Sequence, residues 1–357
     1  MKNIFVNAAA ALSLTVCLML CACGAESTVP ESTYEAAPTA EPTPTPEPTP
    51  TPFPDYDFEV YGKTFNTADT VIDLNHTAVD DNGEELLKYL PDCHNLEILD
   101  MDFCGVDNEH MAGIRDAYPS VSVIWRVWFA DSYSVRTDVE KILASAPGLG
   151  GGLYDYTCDG LYYCTKVKYL DIGHNNWLHD ISFVENMPDL EVFIIAQDCA
   201  YEEGFKDLTP LANCSKLEYL EIQGTRVYDL TPLEGLTELR HLNIGSDIRL
   251  GSIEPIMNLD LERLWIGGIT PIPAEQVNRF KELHPDCEVN NTCEVPNDGW
   301  KWGTERYALL QQQFGYLDLD YQLIENDPLY YEHESIYETA NDDDTVQKDT
   351  TQIEKED

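Results

Sequence analysis

Eleven cysteines, eight histidines and 65 carboxylates are the side chains of this 357-residue chain that could bind a metal, pair as disulfides or move protons. Their spacing argues against metal binding and proton transfer. No Cys-x-x-Cys pair occurs, so the usual zinc clip is missing. His174 and His179 stand five apart in His-Asn-Asn-Trp-Leu-His, which puts them on no single helical face. Residues 148–152 (Gly-Leu-Gly-Gly-Gly) are glycine-rich like a phosphate loop, but neither Lys-Ser/Thr nor a helical pattern follows, and a turn is expected. The run Asn341-Asp-Asp-Asp344 lacks the alternating acids and the distant Glu of a calcium loop. There is also no His-Glu-x-x-His and no Gly-x-Ser-x-Gly. Hence no catalytic residue, metal ligand or cofactor is assigned, and an enzyme is the least expected reading.

The apolar residues that must position any site are far more regular. A template L-x-x-L-x-L recurs at Val167…Leu170…Ile172, Leu190…Phe193…Ile195, Leu217…Leu220…Ile222, Leu239…Leu242…Ile244 and Leu261…Leu264…Ile266. Its first positions step by 23 (167 to 190), 27 (190 to 217), 22 (217 to 239) and 22 (239 to 261). Alternation at L-x-L makes a short strand with one buried face, and stacked strands form a parallel sheet that no single repeat can stabilise. The returns also repeat, as Asp207-Leu-Thr-Pro-Leu211, Asp229-Leu-Thr-Pro-Leu233 and Ser252-Ile-Glu-Pro-Ile256. Proline there forbids a long helix and suits a 3₁₀-like turn. The expected fold is therefore α/β: a leucine-rich-repeat horseshoe with a parallel concave sheet and a short 3₁₀ or loop convex side.

The pattern LxxLxLxxN followed by xxDLTPLxxLxxL resembles the bacterial leucine-rich repeats of the internalin type, found in surface proteins that bind proteins or glycans. The match is close over residues 165–270. It extends more loosely to Ile72-Asp-Leu74 and Leu99-Asp-Met101, which are 27 apart (72 to 99). The asparagine of the pattern is kept only at Asn175; Asp198, Thr225 and Asp247 stand at the other matching places, so an imperfect side-chain ladder is expected. Cys93, Cys164 and Cys214 each precede a first apolar position by three, where Met187 and Leu236 stand in other repeats. That is a small core slot, which free cysteine fills well. Cys104 takes the asparagine position of its own repeat. Cys158/Cys164 and Cys287/Cys293 are the pairs near enough for local disulfides, and the sequence leaves both open.

Residues 1–22 read as a secretory signal, with a basic start at Lys2 and an apolar run over 8–20 that is too short for a comfortable span. Its end, Leu20-Cys-Ala-Cys23, resembles a bacterial lipobox. That likeness implies a diacylglyceryl group on Cys23 and anchoring at the extracellular face of the cytoplasmic membrane. Residues 23–57 form a Pro/Thr/Glu tether whose alternating prolines hold an extended path. At ~3.1 Å per residue, some thirty residues reach about 90 Å. With 21 Lys and Arg against 65 Asp and Glu, the net charge of −44 excludes nucleic acid and disfavours direct docking on anionic lipid. Membrane contact is expected through the lipid alone, and the protein is expected to be a monomer. Residues 317–357 are an acidic tail with a disordered composition.

Residues 58–164 hold the looser repeats and an insertion, with helices expected over 109–118 and 138–146 and a strand over 121–129. Residues 271–316 are expected to cap the array, with helices over 274–283 and 303–314. By alternation, two columns face the concave side: Tyr169, Val192, Tyr219, His241, Arg263, and Asp171, Ile194, Glu221, Asn243, Trp265. Aromatics and arginine favour interface centres. The candidate ligand-binding residues are therefore Tyr169, Asp171, Tyr219, Glu221, His241, Asn243, Arg263 and Trp265. They imply a recognition protein holding an unknown protein or glycan on an open concave face, the alternative being a structural component of the cell envelope.

Overall fold

The computed structural model describes residues 54–130, 133–145, 153–197, 204–267, 269–292, 299–300 and 304–314. The signal, Cys23, the tether to residue 53, the turn at 148–152, Asp198, Cys199, Cys293 and the acidic tail lie outside the described residues. No helix among the described residues is long and apolar enough to cross a membrane.

A hairpin, β1 (Asp57–Val60) with β2 (Lys63–Asn66), precedes a three-stranded parallel sheet of β3 (Val71–Asp73), β4 (Ile98–Asp100) and β5 (Ser122–Ile124). Helix α1 (Asn108–Ala117) connects β4 to β5, and the Asp107 carboxylate caps it by accepting from the His110 amide at 3.0 Å. A second antiparallel hairpin, β6 (Arg126–Phe129) with β7 (Tyr133–Arg136), follows. Then come seven parallel strands in sequence order: β8 (Lys141–Leu143), β9 (Tyr169–Asp171), β10 (Val192–Ile194), β11 (Tyr219–Glu221), β12 (His241–Asn243), β13 (Arg263–Trp265) and β14 (Glu288–Asn290). Helix α2 (Ala274–Leu283) lies between β13 and β14, and α3 (Glu305–Phe314) is the last element among the described residues. The chain is a leucine-rich-repeat solenoid.

Each strand of the long sheet is three residues, and its central side chain points into the core. Ile142, Leu170, Phe193, Leu220, Leu242, Leu264 and Val289 stand in register across the sheet. The convex returns are 3₁₀ turns at Ser182–Asn186, Thr209–Asn213, Thr231–Leu233 and Glu254–Ile256, each burying an apolar side chain. Asp207 and Asp229 start two of them by accepting from the amides of Thr209 (2.9 Å) and Thr231 (2.8 Å). Proline at the first turn needs no amide hydrogen there.

Three expectations are corrected. Over 138–145 there is no helix but strand β8 (Lys141–Leu143), because Val139…Ile142…Ala144 is itself the repeat template and pairs in parallel with β9. Asp138 is not a helix cap; its carboxylate binds Arg136. The single strand expected over 121–129 is two, β5 and β6, in different sheets, with buried Trp125 at the break. The helical insertion thus reduces to α1. The final helix does not close the end of the array, where β14 and α2 lie; it packs on the concave side against β8.

The cysteine slots are buried as their repeat position requires, and Cys93, Cys104, Cys158, Cys164, Cys214 and Cys287 are free thiols, so Cys158 and Cys164 are not paired. Burial pushes the Cys164 thiol up to about 12 and Cys214 to about 11, which makes both poor nucleophiles.

The ladder behind the strand ends is rebuilt from unlike residues. The Asn175 amide donates to the carbonyls of Ala144 (2.8 Å) and Ile172 (2.9 Å) and accepts from the Leu153 amide at 2.6 Å. In the next repeat Gln197 takes over, donating to the carbonyls of Asn175 and Leu178, both at 2.9 Å. In the last of these repeats Asp247 is wholly buried; its Oδ1 accepts from Thr225 at 2.8 Å while its Oδ2 has no partner. Burial raises its pKa well above the carboxylate range, so the folded state holds a proton that the unfolded chain releases. Stability is therefore lost as pH rises from the unfolded value towards the folded one. Asp247→Asn restores the residue that the pattern asks for and removes this loss. It should stabilise the protein by about 1–3 kcal/mol at pH 7 and by less at pH 4. An equal effect on urea unfolding at both pH values would contradict the buried-acid account.

Candidate functional site

Parallel pairing sets the concave columns side by side, Tyr169–Val192–Tyr219–His241–Arg263 and Asp171–Ile194–Glu221–Asn243–Trp265. They do not face water. Asp171, Glu221 and Asn243 are wholly buried, Tyr219 and Trp265 are 2% exposed, Arg263 is buried, and Tyr169 and His241 are half-buried. The expected open recognition face is thus corrected, and the cause is the chain's own C-terminal segment. Trp300, Tyr307 and Leu310 form a second apolar cluster with Leu143, Val192, Ile194, Tyr219 and Trp265 on this side of the sheet.

The segment is gripped by polar groups as well. Arg263 donates from Nη1 to the Trp300 carbonyl (2.5 Å), from Nη2 to the Gly299 carbonyl (2.9 Å) and from Nε to Glu288 (2.9 Å). Its guanidinium lies over the rings of Trp265 (4.5 Å) and Trp300 (4.8 Å). The Trp300 indole donates to Glu221 Oε2 at 3.2 Å, which also accepts from the Tyr219 hydroxyl at 2.9 Å. Burial and the adjacent Glu221 carboxylate hold the Tyr219 phenol protonated. Thr304 starts α3 by accepting from the Tyr307 amide at 3.1 Å, and Arg306 reaches Glu218 at 3.3 Å.

Two of the candidate residues shape the backbone. Asp171 accepts from the Gly173 amide and Asn243 from the Gly245 amide, each at 2.9 Å, as Asp73 and Asp100 do from Asn75 (2.9 Å) and Asp102 (3.0 Å). These are strand-ending Asx turns, and Asn290 makes a fifth at the same position by accepting from the Thr292 amide at 3.0 Å. The groups that can contact a bound chain are Tyr169, Tyr219, Glu221, His241, Arg263 and Trp265. The cover by residues 299–300 and α3 escaped sequence reasoning. Its signal was present: a column with Val192, Ile194, Tyr219 and Trp265 is too apolar for water, and Tyr307 and Leu310 share a helical face.

A second charged cluster was also missed. Arg136, buried where the β6–β7 hairpin meets the first parallel sheet, donates to Asp100 (3.0 Å) and Asp138 (3.1 Å), while Arg126 donates to Asp102 at 3.0 Å. Burial raises the Asp100 carboxyl even though Arg136 opposes it. Gly160 lets this hairpin close down, since a Cβ there would lie 2.3 Å from the Trp128 carbonyl oxygen. Among the described residues no group of three or more His, Cys, Asp or Glu could hold a metal.

No family model matches the chain, and no curated protein matches it. Solved structures do. An internalin, InlF, of Listeria monocytogenes is 22% identical, with a TM-score of 0.38 over 59% of this chain and 53% of its own. A leucine-rich-repeat protein of Leptospira interrogans is 22% identical, with a TM-score of 0.32 over 39% and 34% of the two chains. The functional domain of InlJ from Listeria monocytogenes, which includes a cysteine ladder, is 15% identical, with a TM-score of 0.33 over 62% and 42%. The likeness is one of fold. The chain spans about half the length of the first of these structures.

His241 reports on the sealed face. Burial, then the charges of Arg306, Arg263 and Arg240, push it down from 6.5 to about 4. As pH falls the unfolded chain takes up this proton first, so stability is lost between roughly pH 6.5 and 4, by up to about 1.4 kcal/mol per pH unit. His241→Gln has no such group. The native chain should lose more unfolding free energy than the variant between pH 7 and 4.5; parallel losses in urea titrations would refute the assignment.

Proposed function

We propose that the chain is a lipid-tethered recognition protein at the extracellular face of a bacterial cytoplasmic membrane, with a protein partner held on its concave face. Cys23 carries the anchor at the end of a short apolar run with a basic start. The proline-threonine tract then spaces the solenoid from the bilayer, and the large negative charge keeps it off anionic headgroups. No cofactor takes part, and the chain acts as a monomer.

The observation that carries the reading is the grip of Arg263 on two consecutive main-chain carbonyls beside a box of aromatic rings. Main-chain carbonyls are common to every polypeptide, and buried aromatics with arginine are what interface centres use. The concave face is therefore equipped to hold a peptide, and in the resting chain it holds residues 299–300 and α3. Partner access requires that segment to leave. A short helix that belongs to no repeat can open locally while the stacked strands stay closed.

Two measurements test this. Cys23→Ala should move the protein from the membrane fraction to the medium or leave it unprocessed; unchanged detergent-phase partitioning would end the tether reading. A photo-crosslinking residue in place of half-buried Tyr169, at the margin of the cover, should give adducts with a second protein on intact cells. Crosslinks confined to the chain's own C-terminal segment would count decisively against recognition on this face.

A further inference from the structure

The cover is held more selectively than a lid requires. An apolar sheet face can be sealed by apolar side chains alone, and burying charge beneath a cover costs free energy that such packing avoids. Here the face instead buries Glu221 and Arg263, and each reads a different feature of the segment. Arg263 reads the carbonyls of residues 299 and 300. Glu221 reads the indole N–H of Trp300. The indole ring lies 5.4 Å from Tyr219 and 5.5 Å from Trp265, centroid to centroid, which is aromatic packing distance. Gly299 has φ +80°, a backbone conformation that favours glycine, and it lies directly against the Trp265 ring. Beyond this box, Tyr307 and Leu310 lay one face of α3 against Leu143, Val192 and Ile194.

Resting on the recognition function proposed above, we propose that the concave face selects in trans a partner protein segment in which glycine-tryptophan is followed by a short amphipathic helix. Residues 299–300 together with α3 are its intramolecular stand-in. Tryptophan is chosen over phenylalanine because only the indole supplies a donor to Glu221. A benzyl ring fills part of the same box and leaves the buried carboxylate one hydrogen bond short. Tyrosine and histidine at position 300 carry donors at other places on smaller rings. The main-chain contacts of Arg263 fix where the segment enters but not its other side chains, so selectivity rests on two residues and one helical face. A tethered segment competes at an effective concentration in the millimolar range. The partner therefore takes the groove when it is presented densely, as a neighbour on the same surface would be, or when the cover has been drawn away.

The test uses the full chain carrying Trp300→Ala, which empties the box while keeping Arg263, Glu221 and the sheet. A labelled peptide of residues 297–314 is titrated in and followed by fluorescence anisotropy, beside the same peptide with phenylalanine at position 300. Saturable binding of the tryptophan peptide is expected, with the phenylalanine peptide about tenfold weaker. Adding Glu221→Gln to the receptor should shrink that ratio, because the carboxylate that discriminates is gone. No binding up to about 1 mM, the scale of the tethered competitor, or equal affinity for the two peptides, would overturn the proposal. If Trp300→Ala fails to fold, the unaltered chain serves: excess tryptophan peptide should speed hydrogen exchange at the α3 amides, and unchanged exchange is the overturning result. Wall oligosaccharide binding to the Trp300→Ala chain without any response to the peptide also overturns it. A crosslinked cellular partner that lacks such a segment refutes this inference and leaves the recognition function standing.

Discussion

Everything in the long sheet depends on one stacking contact repeated along the chain. A strand of three residues has no stability of its own, so each inner central side chain from Leu170 to Leu264 is buried because its neighbours stand in register on either side, with Ile142 and Val289 at the two edges. That register is what aligns the outward positions into columns. It brings Tyr219, Glu221, Arg263 and Trp265, spread over 46 residues of sequence (219 to 265), into one box around Trp300. Shifting one repeat by a residue would exchange its two faces and break the column.

Stacking closes only one face of the sheet. The other keeps an apolar stripe through Val192, Ile194, Tyr219 and Trp265, and the chain closes it with residues that belong to no repeat. This cover mixes two kinds of contact. Tyr307 and Leu310 remove apolar surface from water without demanding a particular partner. Arg263 and Glu221 demand specific carbonyl and N–H groups, and leaving either unmatched in this dry site is costly. The cluster of Arg126, Arg136, Asp100, Asp102 and Asp138 follows the same logic at the other end, where the β6–β7 hairpin meets the first parallel sheet. In both places buried charge fixes how an irregular segment meets a regular one. Geometry, more than net stability, is what such pairs supply.

The repeat also tolerates substitution at its asparagine position. Asn175 satisfies strand-end carbonyls with one amide and Gln197 satisfies carbonyls from its own repeat, whereas Thr225 with Asp247 bonds side chain to side chain and leaves Asp247 Oδ2 without a partner. In the first two, what is preserved is the pairing of buried backbone groups rather than the residue that pairs them. One turn recurs after several strands. Five of them place an Asp or Asn at one position to receive the amide two residues on, at Asp73, Asp100, Asp171, Asn243 and Asn290.

The sequence by itself determined the solenoid, because a 22–27-residue period of L-x-x-L-x-L leaves only stacked parallel strands as a way to bury the apolar positions. It determined the 3₁₀ returns through Thr-Pro-Leu, the buried cysteine slots, α2, and which residues form the concave columns. It did not extend the array to β8, since Val139…Ile142…Ala144 stands 28 residues before Val167 and its Asp138 and Glu140 read as a helix start. Only the tertiary structure decided what the concave columns meet. Alternation fixes which way a side chain points, but whether water or Trp300 lies beyond it depends on a segment 35 residues after the last column residue (265 to 300). Likewise Arg136 and Asp100 lie 36 residues apart, and their pairing follows from where a hairpin lands. Local patterns encode direction and burial of a repeat; contacts between a repeat and a non-repeating segment have no period from which they could be read.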